Sequence, residues 1–254
     1  MFRPRVIPIL LLSGSHLVKT TKFKNPVYIG DPINAVRVFN ELRADELILI
    51  DILATVNKKP IQLELIKRIG KEAFMPFSIG GGIHKFEDAK EIIGAGAEKV
   101  ILNSASFLNT KLLSEISNHY GHQSLAVSLD IKKNIFGKYS IYINRGKVKI
   151  NGDIFEWLSK FQDFGAGEFF LNFIDNDGKM EGYNMEFSRK IVNFTQVPVV
   201  VCGGGRSFND IKALISSGSA SAAAAGSMFV FQGPRKAVLL NYPSKKDLRS
   251  LCEN

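Results

Sequence analysis

Cysteine is scarce in this chain, and no apolar run near its start is long enough to span a bilayer. Cys202 and Cys252 are the only cysteines among 254 residues, too few for a disulfide framework, and Cys202 lies in an apolar run that predicts a buried, unpaired thiol. The apolar residues 6–12 are too short to cross a membrane, and no signal-peptide cleavage pattern follows them. We therefore expect a cytoplasmic protein without membrane contact.

Metal-binding patterns and linkers are also missing. The four histidines are His16, His84, His119 and His122, and their spacing does not match a metal site. No Pro- or Ser-rich linker divides the chain, so we expect one domain with no metal and no cofactor. The net charge of +9 favours acidic ligands. Because the lysines look spread along the chain rather than clustered with stacking aromatics, we expect a phosphorylated small molecule and not nucleic acid.

Two stretches of the chain share one pattern: a short apolar run, three glycines and then an amphipathic segment. Residues 75–83 read MPFSIGGGI and residues 197–205 read VPVVVCGGG, and Phe86 recurs 122 residues later as Phe208. Glycines let a backbone approach a ligand, and amides at a helix start attract anions. We predict two related phosphate sites, formed by Gly81, Gly82, Asn103 and Ser104 in one half and by Gly203, Gly204, Gly226 and Ser227 in the other.

Eight apolar runs alternate with helical patterns along the chain. They cover residues 5–11, 46–51, 77–79, 99–103, 125–130, 168–173, 199–202 and 222–226. Such runs are typical of a parallel sheet covered by helices, and the half-length repeat favours a closed (β/α)8 TIM barrel with an internal half-barrel duplication. An open doubly wound sheet is the alternative, but it would not explain two glycine loops. We predict a single domain, 1–254, with half-barrels of about 1–122 and 123–254.

Local signals predict where individual elements begin and end. Asp31 predicts a helix start, and Ser207 with Asp210 predicts a capping box. Gly70 predicts the end of the helix after the second strand. The residues after the first strand predict a loop, and an alternating segment predicts a β-hairpin inserted at about 136–150.

Polar residues end several strands, where a barrel of this kind carries its chemistry. Asp130 ends the fifth strand in an apolar segment, so partial burial should raise its pKa and suit it to proton transfer. A helix-capping or loop-anchoring role is the alternative. The other residues expected at this rim are Asp51, Asn103, Asn172, Asp175 and Asp177. Asp175 and Asp177 lie in a glycine-containing turn, so they fit a turn role equally well.

The opposite ends of four strands carry charged residues. Arg5, Glu46, Lys99 and Glu168 each start an apolar strand, and strand alternation directs them into the barrel axis. Burying four charges is tolerable only if they pair with one another. The sequence therefore predicts a mutually paired ring, which could be a solvated plug or a gate into the barrel interior.

With glycine loops, Asp130 and the charged ring together, the chain resembles the cyclase subunit of imidazole glycerol phosphate synthase over essentially its full length. The matching stretches are residues 5–8, 18–19, 30–32, 45–47, 76–83, 165–168 and 175–182. The resemblance implies a glutaminase docked at the amino-terminal barrel face and ammonia passing through the barrel. It implies that the ammonia gate is Arg5, Glu46, Lys99 and Glu168. It also makes Asp130 one of two catalytic aspartates and Lys19 a functional lysine of the first loop.

The chain departs from this family at the end of the first strand. The resemblance places the second catalytic aspartate there, where this chain has Leu11. Leucine transfers no proton, and losing a general acid or base typically costs about 10² to 10⁴ in rate. Residues 10–26 are instead similar to a specialised branch encoded with bacterial surface-polysaccharide genes. The resemblance implies that this branch supplies ammonia to an ATP-dependent amidotransferase, which turns an acetamido sugar into an acetamidino sugar in lipopolysaccharide biosynthesis.

Three functions stay open from the sequence. The first is an ammonia-conducting barrel that has lost the imidazole-forming chemistry. The second is a true lyase-type cyclase of histidine biosynthesis, in which Asp51 or another rim group replaces the missing carboxylate. The third is a non-catalytic scaffold that activates its glutaminase.

Overall fold

The computed structural model describes residues 3–57 and 61–252. The strands are β1 (Arg5–Ser13), β2 (His16–Thr21), β3 (Lys24–Gly30), β4 (Leu47–Asp51), β5 (Phe77–Gly80), β6 (Lys99–Leu102), β7 (Leu125–Lys133), β8 (Tyr139–Ile143), β9 (Val148–Lys149), β10 (Glu168–Phe173), β11 (Val199–Cys202), β12 (Ala222–Ala225), β13 (Phe231–Gln232) and β14 (Ala237–Val238). Eight of them pair in parallel in the order β1, β4, β5, β6, β7, β10, β11 and β12, which closes on β1. This closure confirms the predicted barrel, while the duplication of its two halves stays a prediction.

Helices alternate with the barrel strands. They are α1 (Pro32–Glu41), α2 (Ala54–Asn57), α3 (Leu63–Glu72), α4 (Phe86–Gly94), α5 (Ser104–Leu108), α6 (Lys111–Tyr120), α7 (Ile154–Asp163), α8 (Met185–Phe194), α9 (Phe208–Ser216), α10 (Ser227–Val230) and α11 (Lys245–Arg249), with a 3-10 turn at His122–Ser124. Within residues 3–57 and 61–252, no helix is both long and apolar enough to cross a membrane.

Strand alternation divides the apolar side chains into two cores. Side chains on the outer faces of the strands pack against the helices in one large core. The inward-facing side chains fill the barrel and form a smaller core of Ile7, Ile9, Ile48, Ile101, Ala126, Phe170, Val200, Cys202, Ala222 and Ala224. Burial of both cores supplies most of the driving force for this fold. The inner core also separates the two ends of the barrel.

The predicted helix starts are confirmed, but one predicted helix end is wrong. Asp31 accepts a hydrogen bond from Asn34 N at 2.9 Å, and Ser207 and Asp210 form a capping box. Gly70 does not end its helix, because α3 continues to Glu72. A Cβ atom at Gly70 would lie 2.5 Å from the Ala95 carbonyl oxygen, so this glycine serves the close approach of α3 to the end of α4.

Two hairpins project from the carboxyl-terminal ends of the barrel strands, which we call the upper face. The segment after the first strand is not a loop, because β2 and β3 form an antiparallel hairpin. Strand β7 continues beyond Asp130 to Lys133 and pairs with β8, and β8 pairs in turn with β9. The end of β7 together with β8 and β9 forms the second hairpin. The upper face therefore carries much more ordered structure than the sequence alone indicates.

Candidate functional site

At the amino-terminal ends of the strands, which we call the lower face, four charged side chains form a closed ring. Arg5 pairs with Glu46 at 2.5 Å and also with Glu168. Lys99 Nζ lies 2.6 Å from Glu168 and 3.8 Å from Glu46. Each charge thus contacts two charges of the opposite sign. The structure brings together all four residues that strand alternation directs into the axis.

The ring is buried except on one side. The side chains of Glu46 and Glu168 are each 8% exposed and that of Lys99 is 11% exposed, while Arg5 is 31% exposed. Burial works against the charge of Arg5, but Glu168 and Glu46 together raise its pKa above the usual value. Ser78 adds a hydroxyl that donates to Glu46 at 2.9 Å. Arg5 is therefore the member of the ring that faces outward.

An apolar layer separates the ring from the upper face. Directly above Arg5, Glu46 and Lys99 on their strands come Ile7, Ile48 and Ile101, which belong to the inner core. Because a strand rises about 3.3 Å per residue, Asn103 and Asn172 lie roughly 13 Å along their strands from Lys99 and Glu168, toward the upper face. Polar groups thus occupy both ends of the barrel, and the described side chains between them are mainly apolar, with the Ser128 hydroxyl facing the cavity beside Phe170.

A cavity of about 150 Å³ opens at the upper face. Its polar lining includes most of the rim residues predicted from the sequence: Lys19, Asp51, Asn103, Ser104, Asp130, Asn172 and Asp177. Its floor is formed by Ile9, Ile50, Ile101, Phe170 and Cys202. None of the four ring residues reaches this cavity. Cys202 is free and buried, as predicted, and burial raises its thiol pKa to about 12, so it is not a nucleophile at neutral pH.

Two buried carboxyl groups line this cavity: Asp177, which is paired with Lys19, and Asp130. Desolvation raises the pKa of Asp130 to about 7. The hydrogen bond that Asn172 donates to Asp130 over 3.4 Å lowers this pKa and offsets part of that effect. The Asn172 amide then leaves its own oxygen buried and without a partner among the described residues. A carboxyl group that titrates near neutral pH can both accept and donate a proton. Asp130 is therefore a candidate proton-transfer group of this cavity.

Lys19 is held over the glycine loop of the second half. Its Nζ donates to Asp177 at 2.8 Å and to the Thr20 carbonyl at 3.0 Å, and its side chain passes beside Gly226. Asp177 also accepts hydrogen bonds from Thr20 and from the Phe23 amide. Asp177 therefore fastens the hairpin of β2 and β3 above the cavity and orients Lys19.

The other carboxylates at the rim are engaged in local structure. Asp51 Oδ1 accepts hydrogen bonds from the amides of Leu53 and Ala54, and desolvation raises its pKa despite them. Asp175 accepts a hydrogen bond from Lys133 N at 2.8 Å and is not a lining residue of the cavity. Leu11 lies half-buried in the wall of the cavity, where it adds an apolar group.

The two glycine loops have matching backbone geometry. Gly81 and Gly82 have φ values of 109° and 70°, and Gly203 and Gly204 have values of 96° and 105°. A Cβ atom at Gly81 would lie 2.4 Å from the Asp51 carbonyl oxygen, and one at Gly204 would lie 2.0 Å from the Gly182 carbonyl oxygen. Both loops thus require glycine. Gly203, Gly204, Gly226 and Ser227 line a second, small pocket beside Lys19.

Several residues at the site have no clear signal in the sequence. Phe23 and Arg145, from the two hairpins, both line the cavity. Lys22 and Phe23 occupy positive φ, a conformation that usually calls for Asn or Gly, so this turn is not predicted. Ser78 could have been found, because it lies two residues before Gly80 on the inward face of β5.

The chain matches the family model described as "Histidine biosynthesis protein" over residues 5–234. It is 45% identical over 254 residues to the "Putative imidazole glycerol phosphate synthase subunit hisF3" of Vibrio vulnificus (strain YJ016), covering 100% of this chain and 98% of the relative. It is 44% identical over 252 residues to the "Putative imidazole glycerol phosphate synthase subunit HisF" of Leptospira interrogans, covering 99% of each chain. It is 36% identical over 242 residues to the "Imidazole glycerol phosphate synthase subunit HisF" of Helicobacter hepaticus (strain ATCC 51449 / 3B1), covering 95% of this chain and 96% of the relative.

Proposed function

The chain belongs to the histidine biosynthesis protein family, among the homologues of imidazole glycerol phosphate synthase subunit HisF, and from this premise we propose that its barrel conducts ammonia. In this proposal a separate glutaminase docks at the lower face and releases ammonia into the charged ring. The ammonia leaves at the upper cavity and is used to convert an acetamido sugar into an acetamidino sugar. The observation that carries the proposal is a complete ring below a cavity lined by Asp130 and by Leu11, the position at which the family resemblance implies a second carboxylate.

The ring is suited to admit a small polar molecule. Lys99 is shared between Glu168 at 2.6 Å and Glu46 at 3.8 Å, so it can swing toward either carboxylate while one ion pair is kept. Such a movement exchanges one partner for another and leaves no buried charge unpaired. Above the ring, the described side chains of the inner layer carry no charge to stabilise a cation, which favours passage of neutral ammonia over ammonium.

The lower face also has features of a docking surface. Leu42, Phe74 and Phe194 lie at the carboxyl-terminal ends of helices, on the side of the barrel where the ring opens, and are 37%, 89% and 45% exposed. Arg5 presents its guanidinium to the same side. Exposed apolar side chains around a charged opening fit a protein partner.

Two features of the upper cavity support the sugar-modifying role: the apolar Leu11 in its wall and the two glycine loops. Leu11 supplies no proton-transfer group, so Asp130 alone would have to serve both ends of an imidazole-forming reaction. The loops at Gly81 and Gly204 keep the geometry that can bind phosphate groups, which a nucleotide sugar also carries. An ATP-dependent amidotransferase that accepts ammonia from this barrel accounts for both features.

A true cyclase is the second candidate, and one observation favours it. Asp51 lines the same cavity as Asp130, and its pKa is raised by burial, as expected for a carboxyl group that exchanges protons. In that case Asp51 would replace the carboxylate missing at Leu11. Its hydrogen bonds to Leu53 and Ala54 favour a structural role instead.

One assay separates these two candidates. The purified protein is incubated with ammonia and the ribulosyl imidazole carboxamide ribotide that the cyclase reaction consumes. The conduit proposal predicts no turnover above that of the Asp130→Asn variant. Enzyme-like turnover that disappears in Asp51→Asn would refute the loss of the imidazole-forming chemistry and establish the cyclase.

A second assay separates a conduit from a scaffold that only activates its glutaminase. With the glutaminase, glutamine and the amidotransferase present, Lys99→Ala should leave glutamine hydrolysis running but reduce the product formed per glutamine hydrolysed. Lys90→Ala, a change at an exposed lysine on α4, is the matched control and should leave the ratio unchanged. An unchanged ratio in Lys99→Ala would contradict conduction.

A further inference from the structure

The second upper hairpin concentrates much of the positive charge of the protein. Residues 131–150, here called the cationic hairpin, contain five lysines, one arginine and no acidic residue, so they contribute six of the nine net positive charges. The expectation that the lysines are spread without a cluster is wrong for this segment. All five lysines are exposed: Lys132, Lys133, Lys138, Lys147 and Lys149.

The apex of this hairpin presents two bulky apolar side chains. Ile135 is 94% exposed and Phe136 is 87% exposed. Asn134 Oδ1 accepts hydrogen bonds from the amides of Phe136 and Lys138, and Asn134 N donates to the Lys138 carbonyl oxygen. This network holds the turn in one conformation. The two apolar side chains are therefore presented outward by an ordered turn.

The lysines around the apex are not neutralised. Across the described part of the chain, none of the five lies within salt-bridge distance of a carboxylate. Lys132 and Lys133 lie over the rings of Tyr142 and Tyr139, at 5.8 Å and 5.3 Å from the ring centres. The hairpin is thus an apolar tip on a cationic stem, and its charge is available to a partner.

The composition of this surface distinguishes between classes of partner. Lysine is depleted in protein interfaces, whose centres are built from larger apolar areas than two side chains supply. Single-stranded nucleic acid stacks successive bases on several aromatic faces, but of the three aromatic rings in the hairpin only Phe136 is free, because Tyr139 and Tyr142 are covered by Lys133 and Lys132. A membrane surface fits this composition best. The two apolar side chains can enter the headgroup region, and the surrounding lysines can attract anionic headgroups.

We propose that the cationic hairpin docks this protein on an anionic lipid surface, with Ile135 and Phe136 entering the interface and the lysines contacting lipid phosphates. The expectation of no membrane contact rests on the lack of a spanning segment, and a surface hairpin requires none. Asn134 lies four residues beyond Asp130, which is at most about 13 Å along the chain from that cavity residue. Docking by the apex would hold the cavity mouth facing the bilayer.

The test is co-sedimentation of the purified full chain with vesicles. Vesicles of phosphatidylcholine containing roughly one-third phosphatidylglycerol should bind the protein, and binding should weaken as salt is added. The double variant Ile135→Ser/Phe136→Ser should bind at least about tenfold more weakly. Because both side chains are exposed, its melting temperature should stay that of the unchanged protein. Phe74→Ser, at an 89% exposed position on the lower face, is the matched control and should bind normally.

Three results would overturn the proposal. The first is the absence of binding to anionic vesicles, and the second is equal binding to vesicles of phosphatidylcholine alone. The third is that Ile135→Ser/Phe136→Ser binds vesicles as well as the unchanged protein does, while Lys132→Gln/Lys138→Gln no longer binds them. That result, together with binding to poly(U) RNA, would assign the hairpin to polyanions in general. None of these outcomes depends on whether the barrel conducts ammonia.

Discussion

Asp130 should lower the stability of the folded protein at neutral and alkaline pH. Burial raises its pKa from the ordinary 3.8 to about 7, mainly because the ionised form is desolvated. A tenfold change in proton affinity corresponds to about 1.4 kcal/mol, so this difference amounts to roughly 4 kcal/mol. The folded protein therefore binds this proton more tightly than the unfolded chain does.

The sign of the pH dependence follows from that difference. Below about pH 4 the carboxyl group is protonated in both states, and its contribution to stability is fully present. As the pH rises toward about 7, the unfolded chain ionises freely while the folded protein does not, so stability is lost. Asn at position 130 cannot ionise and can still accept the hydrogen bond from Asn172. Asp130→Asn should therefore be more stable than the unchanged protein by up to roughly 4 kcal/mol at about pH 8.

Urea unfolding at several pH values between about 4 and 8 measures this directly. The free-energy difference between Asp130→Asn and the unchanged protein should grow with pH and vanish near about pH 4. Asp163→Asn, at an exposed position near the end of α7, is the control and should show little such trend. A difference that does not vary with pH, or an Asp130→Asn protein that is less stable at about pH 8, would refute the reasoning.

Three further substitutions test the ring, the glycine loop and the cavity wall. Glu168→Gln leaves Arg5 and Lys99 short of a counter-charge, so urea unfolding should show a loss of about 3–5 kcal/mol; a loss well below 1 kcal/mol would show that the ring is solvated. Gly204→Ala should lower the free energy of unfolding by about 1–3 kcal/mol in the same measurement, because φ is +105° and the new Cβ atom would meet the Gly182 carbonyl oxygen. An unchanged free energy of unfolding would contradict this close packing. Leu11→Asp should raise turnover of the cyclase substrate by about 10² or more, and continued inactivity would show that the missing carboxylate is not what limits this chemistry.

The barrel could be predicted from the sequence because its strands are continuous apolar runs, a pattern that a parallel sheet imposes at every strand. The ring could also be predicted, since alternation along β6 and β10 directs Lys99 and Glu168 inward once the strands are assigned. The first hairpin could not, because its turn at Lys22 and Phe23 reaches positive φ without Asn or Gly. Phe23 is held instead by Asp177, more than 150 residues away along the chain, and no local pattern reports such a contact.

The role of Gly70 was not predictable for a related reason. A glycine near the end of a helical pattern usually marks the stop, but here it marks the place where two helices come close, which depends on the packed barrel. The burial of Asp130 was predictable from its apolar neighbours. The hydrogen bond from Asn172 was not predictable, because it depends on the register in which β7 and β10 pair. The same holds for the Asn172 amide oxygen, which this arrangement leaves without a partner among the described residues.

Isotope competition tests the passage of ammonia through the barrel most directly. The protein, its glutaminase and the ATP-dependent amidotransferase are supplied with amide-¹⁵N glutamine in the presence of excess unlabelled ammonium. If ammonia passes through the ring and the apolar layer, the new nitrogen of the acetamidino product should be mainly ¹⁵N, and Lys99→Ala should dilute it toward the unlabelled pool. A product of the unchanged protein that already matches the unlabelled pool would contradict the account.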